Sequence, residues 1–180
     1  MNQLKIAHTL WKEHIESIQK NSIIAVDATC GNGHDSLFLS NFSHIELHCI
    51  DIQSQAIAET RQRLADKKAY FHHTSHESLE FIEKPIDLIV YNLGYLPGSD
   101  KQTITTSKTT LLSLASALTL LSPGGMISLM IYTGHLGGVE EKTGIFDFFR
   151  KTNYKINLFH LTTPLKQNAP ELLIIKKYGS

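Results

Sequence analysis

The chain has 180 residues, 17 basic and 17 acidic side chains, and no formal net charge at pH 7. With 42% hydrophobic and 19% charged residues it is neither disordered nor fibrous, and its length suits one domain with a sizeable core. Balanced charge also speaks against a polybasic nucleic-acid binder, although not against a local basic patch. The longest apolar run, Leu111 to Leu121, contains Ser113, Ser116 and Thr119. It falls well short of the roughly 20 residues that a membrane span needs. The N-terminus carries charges every few residues, unlike a signal peptide. Cys30 and Cys49 are too few for a disulfide framework and lack metal-site spacing. The expectation is a reduced, cytoplasmic protein without a membrane partner.

In chain order, Leu4, Ala7, Leu10, Trp11, Ile15 and Ile18 predict an amphipathic helix within residues 1–21, packed on a single domain. Ile23 to Val26 reads as a first strand, followed by a turn with Gly31 and Gly33 and a helix opening at Leu37. Ile45 to Ile50 is a second strand, residues 54–64 a helix, and Ala69 to His73 a third strand. Thr74 and Glu77 have capping-box spacing, which predicts a short helix through Leu79 and Ile82. Ile86 to Tyr91 is a fourth strand, and Leu111, Leu114, Ala115, Leu118 and Leu121 mark one side of a long helix. Pro123-Gly124-Gly125 should stop that helix before a fifth strand, Met126 to Tyr132. A helix over 139–150 and two strands, Tyr154 to Leu161 and Leu172 to Tyr178, complete the chain. Repeated strand–helix–strand units require a mostly parallel sheet covered on both faces. Two terminal strands joined without a helix add one antiparallel edge strand. The predicted fold is a doubly wound, seven-stranded, Rossmann-like α/β sheet.

Such sheets bind ligands at the carboxyl ends of their strands, near the point where strand order reverses. The segment from Asp27 through Thr29, Gly31, Asn32, Gly33 and Asp35 occupies that position after the first strand. Asp51, ending the second, is placed to accept hydrogen bonds from ribose hydroxyls. A nucleoside-type cofactor follows from the pair. Ser36 stands where a dinucleotide fingerprint wants a third glycine. Asp27 would repel a pyrophosphate but suit a cationic ligand.

This combination, with Leu121-Ser122-Pro123-Gly124-Gly125 before the fifth strand, resembles the class I S-adenosylmethionine methyltransferases over residues 22–178. Three motifs narrow the match: Asn32-Gly33-His34-Asp35, Asn92-Leu93-Gly94-Tyr95-Leu96-Pro97-Gly98 and Tyr132-Thr133-Gly134-His135-Leu136-Gly137-Gly138. With Asp100-Lys101 and Ile104-Thr105-Thr106 they are similar to the rRNA-methylase-labelled family. Its characterised members are MnmM-type tRNA methyltransferases, which convert 5-aminomethyluridine or its 2-thio form at the wobble position to the methylaminomethyl form. Typical members have a glycine where this chain has Ser99. The resemblance implies S-adenosylmethionine as methyl donor, S-adenosylhomocysteine as product, and a tRNA anticodon arm as partner. The residues by themselves carry the reading only to a cofactor-dependent transferase.

Asn-Leu-Gly-Tyr is also similar to the Asn-Pro-Pro-Tyr motif of methyltransferases that act on exocyclic base amines. By that analogy the Asn92 carboxamide and the Leu93 carbonyl accept hydrogen bonds from the amine, and Tyr95 stacks on the uracil ring. Asp27, Thr29, Gly31, Asn32, Gly33 and Asp51 are candidate cofactor contacts, with Gln53, Ser75 and His76 toward adenine. Asp35 is either a cofactor contact or the cap of the following helix. His135 is either a base or a satisfied structural histidine. Gly94, Asp100, Lys101, Thr105 and Thr106 suit substrate phosphate or ribose, and otherwise form an ordinary surface loop. Cys30 reads as a packed turn residue, since amine methylation needs no thiolate. His72, His73 and His76 lack the partners of a metal site, so no metal is expected.

Three alternatives stay open: a methyltransferase acting on rRNA or a small-molecule amine, a nucleotide-binding oxidoreductase, and a non-catalytic cofactor-binding module. A homodimer is compatible with the chain, although no motif marks an interface. With no net charge, any RNA contact should use a local patch of Lys101 and Lys108, extended by Arg150, Lys151 and Lys155.

Overall fold

The computed structural model describes residues 3–93, 107–134, 137–163 and 169–178. The elements are α1 (Gln3–Ser17), β1 (Ile23–Asp27), α2 (His34–Leu39), β2 (Ile45–Asp51), α3 (Ser54–Leu64) and β3 (Tyr70–His73). They continue with β4 (Ile86–Asn92), α4 (Ser107–Leu120), β5 (Leu121–Ile131), α5 (Gly138–Lys151), β6 (Ile156–Leu161) and β7 (Glu171–Lys177). The strands form one sheet in the order β3-β2-β1-β4-β5-β7-β6. β1 to β5 pair in parallel, as their long connections allow. β7 is the reversed strand, antiparallel to β5 on one side and β6 on the other. It lies one place in from the edge expected for it. Leu172, Leu173, Ile174 and Ile175 are buried on both faces, whereas four central residues of β6 are exposed. The strand that is apolar on both sides takes the interior place.

Alternation along the strands divides the core between the two faces of the sheet. Ile24, Val26, Ile89, Tyr91, Ile127, Leu129, Leu173 and Ile175 pack against Leu114, Ala117 and Leu118 of α4 and Ile145 and Phe149 of α5. Ile23, Ala25, Leu47, Cys49, Leu88, Val90, Leu172 and Ile174 pack with Ala7, Trp11 and Ile15 of α1, Leu39 of α2, and Ile57 and Leu64 of α3. α1 is therefore part of the core. Trp11 is only 3% exposed; withdrawing about 200 Å² of indole from water is worth roughly 5 kcal/mol.

Two local expectations change. Residues 74–85 run in turns rather than a helix, although Leu79 and Ile82 still reach the core. The Ser75 hydroxyl, not Thr74, accepts from Glu77 N, and the Ser116 hydroxyl accepts from Leu79 N at 3.2 Å. Side chains thus take amide donors that a helical ladder would use. Pro123-Gly124-Gly125 does not precede β5 but falls within it, beside an irregular register between Ile86 and Leu88. There the buried Asp87 accepts from Lys20, Ser122 and Ile24 N.

Candidate functional site

From β1 the chain winds outward through β2 and β3, then returns to lay β4 on the other side of β1. The carboxyl ends of β1 and β4 therefore flank the switch point. They are stitched together there: Ala28 N donates to the Val90 carbonyl at 2.9 Å, and Asn92 N to Thr29 Oγ1 at 2.7 Å. Asp27, Asp51 and Asn92 end three neighbouring strands at this one edge of the sheet.

The β1–α2 turn is shaped by what it must approach. Gly31 N donates to Asp51 Oδ2 at 3.0 Å, and Gln53 N to Asp51 Oδ1 at 2.9 Å. Two backbone donors thus orient the half-buried carboxylate predicted to meet a ribose. Thr60 of α3 donates its hydroxyl to the Gly31 carbonyl, and Arg63 Nε donates to the Asn32 carbonyl at 2.5 Å. Gly33 adopts φ +74°, and a Cβ there would lie 2.8 Å from Thr60 Cα. Only glycine combines that dihedral with that approach.

Two buried aspartates form the floor. Asp27 is 1% exposed and accepts from the Ser36 hydroxyl at 2.6 Å through Oδ2, while Oδ1 is buried without a hydrogen-bond partner among the described residues. Burial, then the nearby charge of Asp35, pushes its carboxyl up to about 7. The Ser36 hydroxyl pulls the other way, as does the Thr29 backbone N–H, which stays outside hydrogen-bond geometry. Ser36, read from sequence as a departure from a glycine pattern, is thus a ligand of Asp27.

Asp35 does not cap α2, whose N-cap is Gly33 without a side-chain bond. Its Oδ1 accepts from His8 Nε2 at 2.6 Å, and its Oδ2 accepts from the side-chain amide of Asn92. The Asn92 carboxamide was expected to serve as an acceptor; its NH₂ is spent on Asp35, and its oxygen accepts from no described residue. His8 is the site residue that sequence reasoning missed. It lies on α1 between Ala7 and Trp11, where only the apolar stripe was noticed. Its position three residues before a buried tryptophan was the available signal.

Among the other candidates, the Leu93 side chain is buried and its N–H donates to Met130 O at 2.9 Å. Ser75 is occupied with Glu77. The His76 Nε2 is buried with no hydrogen-bond partner among the described residues, its ring edge-on to Tyr91 and burial holding the imidazole below its usual pKa. Burial first, then the charge of Asp27, raises the Cys30 thiol far above its ordinary range, which disfavours a thiolate. His72 meets His48 at 3.0 Å, while His73 Nε2 meets the Ile52 carbonyl, so neighbouring histidines turn to different partners. Gly94, Tyr95, Asp100, Lys101, Thr105, Thr106 and His135 lie outside the described residues. The basic extension is corrected: Arg150 and Lys151 close the last turn of α5 and Lys155 immediately precedes β6, at the opposite end of the sheet. A helix that begins after the carboxyl end of β5 must finish at the amino end before a parallel strand starts. No helix among the described residues is long and apolar enough to cross a membrane.

A family model described as "Putative rRNA methylase" matches residues 47–177. The chain belongs to this family. An Arabidopsis thaliana protein, "tRNA (mnm(5)s(2)U34)-methyltransferase, chloroplastic", is 36% identical over 154 residues, covering 76% of this chain and 55% of the relative. The chain spans about half the length or less of the curated relatives it matches. A "putative rRNA-methylase" from Clostridium thermocellum superposes with a TM-score of 0.88 at 31% identity, covering 98% of both chains. A "putative methyltransferase" from Streptococcus mutans, in complex with SAH, gives 0.84 at 27% identity, again covering 98% of both. The fold is that of the class I S-adenosylmethionine-dependent methyltransferases, as the topology of β1 to β7 independently indicates.

Proposed function

We propose that the chain transfers a methyl group from S-adenosylmethionine to the amine of 5-aminomethyluridine, or its 2-thio form, at the wobble position of tRNA. The observation that carries this reading is the Asn92 carboxamide at the carboxyl end of β4, tethered through its NH₂ while its oxygen accepts from no described residue. An amine needs an acceptor there, and Asn92 offers one beside an acidic floor. Similarity to the plant wobble-uridine enzyme supports the choice of substrate.

The residues present fit the cofactor. S-Adenosylmethionine, when bound, supplies an electrophilic sulfonium methyl. The orphaned Oδ1 of Asp27 suits the cationic amino-acid end, and the preoriented carboxylate of Asp51 suits ribose hydroxyls. Thr29, Gly31, Asn32 and Gly33 form the turn beside them, and Gln53, Ser75 and His76 are the side chains offered toward adenine.

For the substrate, the Asn92 oxygen and the Leu93 carbonyl accept from the amine and so aim its lone pair. Tyr95 stacks on the base, while Gly94, Asp100, Lys101, Thr105, Thr106 and His135 are assigned to the RNA side of the site. An alkylammonium must lose a proton before it attacks, and a pocket that excludes water lowers its pKa. Positioning and desolvation then supply most of the rate.

Nucleoside mass spectrometry of tRNA from a deletion strain tests the reading. Accumulated aminomethyluridine and lost methylaminomethyluridine, restored by the gene, are expected. Unchanged tRNA alongside a methyl group missing from rRNA would overturn it.

A further inference from the structure

Resting on the amine-methylation reading, we propose that Asp35 and His8 are positioning residues that decide which end of the Asn92 carboxamide faces the substrate. A carboxamide turns about a broad, roughly two-fold torsion, so its oxygen and nitrogen exchange places at little intrinsic cost. The two orientations are chemically opposite here. One presents an acceptor to the amine; the other presents a second donor, which cannot aim a nitrogen lone pair. The direction must therefore be set by a neighbour, and an ionised carboxylate is acceptor-only.

Asp35 is that neighbour. It is 4% exposed, and its Oδ2 accepts from the Asn92 NH₂, so the oxygen of Asn92 points away. Its other oxygen accepts from His8 Nε2 at 2.6 Å. His8 is itself held, stacked on Phe38 at 4.1 Å between ring centroids with the planes 14° apart, and tilted against Trp11 at 5.0 Å. The chain of contacts runs from the hydrophobic anchor of α1, through α2, to the end of β4. α1 thereby becomes a wall of the site rather than only a cover for the sheet.

The alternative is a structural role, in which His8 matters as a ring on Phe38 and Asp35 as a tie between helices. His8→Phe keeps a ring but removes the donor; His8→Gln keeps a nitrogen donor but loses the ring. The test follows the Asn92 side-chain amide by ¹⁵N NMR, together with turnover on an anticodon stem-loop carrying 5-aminomethyluridine. In His8→Phe, amide exchange should quicken about tenfold and kcat fall about tenfold, with the Kd for S-adenosylhomocysteine within about twofold. His8→Gln should recover both to within about threefold of wild type. Asp35→Asn, which offers Asn92 an amide of either sense, should reproduce the His8→Phe defect.

Wild-type exchange and turnover in His8→Phe, or a His8→Gln defect as large as that of His8→Phe, would overturn the proposal. Failure of the substrate reading shows separately, as a wild-type enzyme that leaves the stem-loop unmethylated while the Asn92 amide responds as described.

Discussion

The Ser36 hydroxyl donates to Asp27 Oδ2 at 2.6 Å, while Oδ1 of the same carboxylate is buried with no hydrogen-bond partner among the described residues. Half of this side chain is satisfied by the described residues and half is not. Removing a carboxylate from water without full compensation costs stability, and a cationic ligand returns it.

The pH dependence follows from that cost. Burial and the charge of Asp35 raise the Asp27 carboxyl from 3.8 to about 7. A raised pKa contributes stability that is complete below the unfolded value and lost as pH climbs through about 7. Asp27→Asn should therefore stabilise the unliganded protein progressively from pH 5 to pH 8, by on the order of a few kcal/mol at the upper end. Thermal melts of both proteins across that range measure the difference directly. The same substitution should weaken S-adenosylmethionine binding, and wild-type affinity should rise with pH through about 7. A variant whose melting difference is flat with pH would sink this account.

If Asn92 aims the amine as proposed, Asn92→Ala should lower kcat by about 10²-fold. Affinity for S-adenosylhomocysteine should stay within about threefold of wild type, since the contact is to substrate. Single-turnover kinetics with isothermal titration separates the two effects. Equal losses in both would move Asn92 into the cofactor site.

Gly33→Ala places a Cβ 2.8 Å from Thr60 Cα at φ +74°. The colliding atom is backbone of α3, which cannot swing aside. A loss of roughly 2–3 kcal/mol in urea unfolding is expected, accompanied by weakened cofactor binding as Gly31 N leaves Asp51. An unchanged urea midpoint would mean that the β1–α2 turn has slack the geometry does not suggest.

RNA affinity should depend only shallowly on salt. The chain has no net charge, and Arg150, Lys151 and Lys155 lie at the far end of the sheet from Asp27 and Asn92. A log–log slope no steeper than about −3 is expected for an anticodon stem-loop, from few neutralised phosphates. Fluorescence anisotropy between low and moderate salt gives that slope. Recognition then rests mainly on one base held in a shaped pocket.

Much of this architecture was legible in the sequence because its signals are local. Strand-length apolar runs, a glycine turn and a terminal carboxylate each announce themselves within a few residues, and they located Asp27, Gly31, Gly33 and Asp51 at one edge of the sheet. The helix expected from Thr74 and Glu77 failed because Ser75 and Ser116 take the backbone donors there, and Ser116 is 37 residues from its partner Leu79. The place of β7 inside β6 likewise depends on which strand is apolar on both faces, a comparison between two elements.

Local patterns in the sequence were thus enough for the doubly wound class and for the placing of Asp27, Asp51 and Asn92 at the ends of neighbouring strands. Only the tertiary structure decided what holds those residues in place. Ser36 reaches Asp27 across nine residues, Asp35 reaches Asn92 across 57, and His8 reaches Asp35 across 27. Side-chain hydrogen bonds between elements have no periodicity to read. They exist because α1 and α2 cover the face of the sheet on which Asp27 and Asn92 emerge, and a buried carboxylate must find donors wherever packing brings them.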